Sequence, residues 1–120
     1  MRKAAWNPEL NVEHCWAVAR LITERGSAGD YEEAEKLGKE VVTTIDAKLG
    51  KDSPQSLSGR RTIVKAIWMQ GRIAEAERLI AEIFQVIDGL SAGKYAVYQE
   101  EEQGLMHELV KELKVLKQVN

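Results

Sequence analysis

Gly71-Arg72-Ile73-Ala74-Glu75-Ala76-Glu77-Arg78-Leu79 repeats, at a distance of forty-two residues, the earlier stretch Gly29-Asp30-Tyr31-Glu32-Glu33-Ala34-Glu35-Lys36-Leu37. Self-similarity at a fixed period of this length is the signature of a helical repeat, in which each unit buries its apolar face against its neighbours. Apolar residues behind both stretches keep the same spacing. Tyr31, Ala34, Leu37, Val41, Ile45 and Leu49 step by three and four, and Ile73, Ala76, Leu79, Ile83 and Ile87 follow the first five at the same interval. Steps of three and four place these side chains on one face of an α-helix, so two equivalent amphipathic helices are expected.

Working outward, the remaining elements follow from their stops and starts. Asn7-Pro8 and Ser53-Pro54 each set a capping side chain before a proline at the first helical position, where a missing N–H costs nothing. Helices are therefore predicted from Pro8 to Arg25, stopping at Gly26, and from Pro54 to Gln70, stopping at Gly71. Asp30 with Glu33 reads as a capping box that starts the second helix. The fourth helix ends near Asp88-Gly89. After a break over Gly89 to Gly93, a last helix carries Tyr95, Tyr98, Leu105, Met106, Leu109, Leu113 and Leu116, with a weak point at Gly104. The expected class is all-α.

Composition agrees and narrows the function. The chain has 120 residues, of which 44% are hydrophobic, enough for one domain with its own core. Nine glycines and two prolines leave few turns, which favours a small number of long elements. A net charge of −2, from 17 basic and 19 acidic residues spread along the chain, provides no field for nucleic acid or an anionic membrane surface. The single cysteine, Cys15, excludes an intrachain disulfide, and no apolar run reaches the length of a membrane span or a signal segment. A cytoplasmic chain is expected.

The stretch Met69 to Glu77, its counterpart Gly29 to Glu35, and the connection Leu49-Gly50-Lys51-Asp52-Ser53-Pro54 together resemble the tetratricopeptide repeat family, in its forty-two-residue variety found in kinesin light chains. The resemblance implies a right-handed solenoid of helical hairpins across residues 1–120. Repeat one would span about 8–50 and repeat two about 53–89, followed by a C-terminal capping helix over about 94–118. It places Gly71 at the turn between paired helices and Ala76 where those helices touch. The first repeat departs from the pattern, since Ser27-Ala28-Gly29 reads as an insertion when Gly26 takes the usual turn position.

In that family the first helix of each pair lines a concave surface. Carried across, the rule implies a groove with Trp16, Arg20, Thr23 and Glu24 from the first helix, Ser58, Arg61, Lys65, Trp68 and Met69 from the third, and Gln103, His107, Val110 and Lys111 from the fifth. The partner-binding set implied is Trp16, Arg20, Arg61, Lys65, Trp68, His107 and Lys111. Such tryptophans and cations suit an acidic or aromatic segment of a protein partner, held by cation–π contact and charge. The basic and asparagine residues with which some members grip a C-terminal carboxylate are missing, since Ser58, Thr62, Glu100 and Gly104 stand in their places. The expected function is a non-catalytic adaptor or scaffold module. The second reading is self-association as a segment of a longer repeat array.

Catalytic readings are poorer. His14 and Cys15 are adjacent and point about 100 degrees apart on a helix, so they do not face each other. His107 lacks a second ligand at metal-binding spacing, and no phosphate-cradling glycine loop occurs. No enzyme activity, cofactor or metal is expected. Glu32-Glu33 and Glu100-Glu101-Glu102 read as solvated helix faces.

Overall fold

The structure is a computed structural model that describes residues 28–119. The predicted helix from Pro8 to Arg25, with Trp16, Arg20, His14 and Cys15, lies outside the described residues. Within them every element is helical: α1 (Ala28–Leu49), α2 (Pro54–Met69), α3 (Ile73–Asp88), two 3₁₀ turns (Leu90–Ala92 and Ala96–Tyr98) and α4 (Gln99–Val119).

Local chemistry sets the boundaries. Ser53 caps α2 with its side chain, which accepts from the backbone N–H of Ser56 at 3.1 Å, and Pro54 follows as the first helical residue. At the other end Gly71 takes φ 86°, a conformation that a Cβ would oppose. There the N–H of Arg72 reaches the Ile67 carbonyl at 3.2 Å and that of Gly71 reaches Trp68 at 2.9 Å, the paired bonds that close a helix C-terminus. Gly50, at φ 95°, ends α1 in a related way.

Three boundaries differ from the sequence expectation. Gly29 and Asp30 lie within α1 (Ala28–Leu49), so Asp30 does not precede the helix. Gly89 keeps a helical φ of −85°, and the chain runs on into a 3₁₀ turn rather than stopping there. The last helix begins at Gln99 and not near residue 94, so Tyr98 lies in the 3₁₀ turn that precedes it and Tyr95 stands just before that turn. That segment is pinned by its own contacts. Leu90 is buried, the Tyr95 hydroxyl donates to the Leu49 carbonyl at 3.0 Å, and the Gln99 amide donates to the carbonyls of Ile87 and Asp88, which α3 leaves open. Gly104 does not interrupt α4.

α2 is the central helix. It packs on α1 over the largest interface and also touches α3 and α4. The core joins Leu57, Val64, Ile67 and Trp68 of α2 to Ile83 and Ile87 of α3, Leu90, and Met106, Leu109 and Leu113 of α4. Burial matches at three of the repeated pairs, although Tyr31 is buried where Ile73 is partly exposed and Glu35 is buried where Glu77 is exposed. Ala34 and Ala76 are both fully buried, Val41 and Ile83 are 1% and 2% exposed, and Ile45 and Ile87 are 4% and 0% exposed. α1 and α2 approach closely at Gly38, where an added Cβ would stand 2.8 Å from Cγ1 of Ile63.

Leu49 at the end of α1 and Leu105 of α4, both read along apolar helix faces, stand exposed, 39% and 42% accessible, whereas Met106, Leu109 and Leu113 carry the buried stripe of α4. Glu102 departs in the opposite sense, being 2% exposed rather than part of a solvated face.

Candidate functional site

The half-buried positions Ser58, Arg61, Lys65 and Met69 recur along α2 at steps of three and four, and α4 runs beside them. Arg61 and Lys65 are both engaged across this seam. Arg61 Nη1 lies 2.5 Å from Oε1 of Glu102, and Lys65 Nζ lies 2.8 Å from Oε2 of Glu112. The first pair is nearly dry, with side-chain exposures of 14% and 3%, while Glu112 is 49% exposed. The two cations from which an acidic partner is expected therefore have their charges matched inside the fold.

The other described site residues are spread around the molecule. Trp68 is 6% exposed and sits in the core cluster, because its large apolar area is satisfied there rather than on the surface. His107 is exposed on the flank of α4 toward α3, its ring 5.7 Å from that of Phe84. Lys111 is exposed and borders a shallow depression of about 340 Å³ with Glu108, Glu112 and Val115. Arg61 and Lys65 thus share one seam, while Trp68, His107 and Lys111 face elsewhere.

Glu102 and Glu112 are the residues that reading the sequence missed. Glu102 was legible in principle, since Glu102, Met106, Leu109 and Leu113 are spaced by four, three and four and form a single helical face. A glutamate at the head of an apolar stripe needs a cation, and Arg61 supplies it from another helix.

Two further polar clusters brace the helices. Glu35 accepts from Arg72 at 2.7 Å, Lys39 at 2.8 Å and the Gln70 amide at 2.9 Å, so the first turns of α1 are tied to the turn between α2 and α3. Burial pushes the Glu35 carboxyl up, but these donors and the charge of Lys39 outweigh it and hold the group at about 2. The guanidinium of Arg72, bonded to Glu35 and Glu75, is pushed up. At the other end of α1, Asp46 accepts from the Ser56 hydroxyl at 2.5 Å and from Arg60 at 2.6 Å.

A cleft of about 660 Å³ opens between α1 and α3 over α2, with Val42, Leu79 and Val86 on its walls, Ile63 beneath, and Lys39 and Glu82 on its rims. Asp46 and Arg60, paired with each other, and Lys51 also line it. Among the described residues no group of three or more histidines, cysteines or carboxylates is placed to hold a metal ion, and no helix is long and apolar enough to cross a membrane. Comparison of the chain with protein-family models, curated proteins and solved structures gives no match.

Proposed function

We propose that this chain is a non-catalytic protein-interaction module of tetratricopeptide type, an adaptor or scaffold of the cytoplasm. It binds a segment of a partner along the face where α2 and α4 run side by side. The observation that carries the reading is the repeat written into the packing. Ala34 and Ala76, Val41 and Ile83, and Ile45 and Ile87, each forty-two residues apart in α1 and α3, share their burial, while α2 keeps the half-buried stripe Ser58, Arg61, Lys65 and Met69 beside α4. Stacked helical hairpins use such surfaces for extended contact with a partner, and the side chains here offer hydrogen bonds, charge and apolar area without a reactive centre.

Hydrogen exchange tests the reading. With a bound peptide selected from a display library, amide protection should rise along α2 and α4. Protection confined to α1 and α3 around their cleft would refute the placement.

Self-association is the second reading, favoured by the exposure of Leu105 (42%), Val115 (54%) and Val97 (82%). It requires a sedimentation mass that rises with protein concentration. A constant monomer mass across the micromolar range excludes it.

A further inference from the structure

Among its described side chains α4 buries one stripe, Glu102, Met106, Leu109 and Leu113, and each flank touches a neighbouring helix but is largely exposed. The flanks differ in chemistry. The one toward α2 is identified by the contact of Glu112 with Lys65 and carries Glu101, Leu105, Glu108 and Glu112 at steps of four, three and four. The flank toward α3 is identified by the tilted ring contact of His107 with Phe84 and carries His107 and Lys114, with Glu100 and Lys111 toward its outer edge.

The charge on the α2 side is not what a count of Arg61 and Lys65 suggests. Those two cations are matched by Glu102 and Glu112, whereas Glu101 and Glu108 are exposed and have no ion-pair partner among the described residues. Lys111 borders the depression beside Glu108 and is the one cation along it. Two apolar side chains, Leu105 and Val115, stand exposed at either end of this flank, 42% and 54% accessible. The surface therefore offers two apolar contacts with uncompensated carboxylates alongside.

Resting on the binding-module reading above, the geometry points to a basic, amphipathic protein segment as the occupant, and not to an acidic one. Its apolar side chains cover Leu105 and Val115, and its lysines or arginines meet Glu101 and Glu108. Ten residues of helix separate Leu105 from Val115, roughly 15 Å at 1.5 Å per residue. The matching apolar side chains of the segment stand about ten residues apart if it is helical, or about four to five if it is extended. Charges at such an exposed rim act mainly on encounter rate and partner choice, so binding weakens as salt rises.

A display library of random twelve-residue peptides, panned on the purified chain and on the Glu101→Lys, Glu108→Lys variant, tests this. Both replaced residues are exposed, and circular dichroism with a urea midpoint checks that the variant folds; Glu101→Gln with Glu108→Gln serves if it does not. The expected result is enrichment of net-positive peptides carrying separated apolar residues, which bind the variant about tenfold more weakly and weaken with added salt. Enrichment of acidic peptides would overturn the basic class while leaving a peptide-binding module standing. Basic peptides that bind the variant equally well would overturn the surface. No enrichment over the bare support would overturn both this inference and the reading on which it rests.

Discussion

Arg61 and Glu102, forty-one residues apart in the chain, meet across the seam between α2 and α4 in an ion pair that is almost fully removed from water. Breaking such a pair from one side is costly because the other charge is left without a partner. Glu102→Ala should lower stability by about 2–4 kcal/mol, and Arg61→Glu, which sets two carboxylates together, by at least as much. Replacing both partners with apolar residues, as in Arg61→Met with Glu102→Leu, should recover most of the loss. Urea midpoints of the three variants check the order, and a single variant as stable as the parent would show that the pair does not fasten α4.

Glu35 gives the fold a dependence on acid. Its folded value of about 2 lies below the ordinary 4.5, so the carboxylate adds stability that is fully present above about pH 4.5 and is lost as pH falls toward 2. The gap sets an upper bound of about 3 kcal/mol at full ionisation, which solvent screening around Arg72 and Lys39 reduces. Glu35→Gln should be less stable than the parent at pH 7 and lose much less of its stability between pH 5 and 2. Parallel acid titrations of the two proteins at fixed urea would reject the assignment if the curves ran side by side.

Gly38→Ala should destabilise the chain even though alanine favours a helix by about 1 kcal/mol. The new methyl meets Ile63 at 2.8 Å, and a β-branched side chain has little freedom to turn away. A net loss of about 1–2 kcal/mol is expected from overpacking. The loss should shrink when Ile63→Ala is added, which a double-mutant cycle by thermal unfolding would measure.

Two other glycines should respond in opposite ways. Gly71 holds φ 86°, so Gly71→Ala should cost about 1–2 kcal/mol although no atom stands in the way of the methyl group. Gly104 lies within α4 with open space around it, so Gly104→Ala should add about 0.5–1 kcal/mol. Melting temperatures that shift in the same direction for both would contradict the backbone argument.

The parts of the fold that local rules control were legible in the sequence. Ser53-Pro54 and Gly71 mark the ends of α2, because capping and positive φ are decided within a few residues. The interval between Val41 and Ile83, or Ile45 and Ile87, carried the buried face of α1 and α3, because the helical period decides which side of each helix turns inward. The candidate site depends on contacts between residues far apart. Arg61 reads as a groove cation until Glu102 is seen beside it, and Trp68 reads as an aromatic handle until the core of α2, α3 and α4 closes over it. The 3₁₀ segment before Gln99 escaped for the same reason, since it is fixed by a Tyr95 bond to a carbonyl forty-six residues earlier.

Because α1 makes its largest interface with the very next helix, most of the structure closes over short loops. Chains dominated by such local contacts fold quickly, in the microsecond to millisecond range, since little loop entropy is lost before contacts form. A polypeptide still emerging from the ribosome would hold the α1–α2 hairpin once Met69 is clear. The later helices would then assemble on a surface already formed, with α4 closing last over the apolar face that α2 and α3 leave for it.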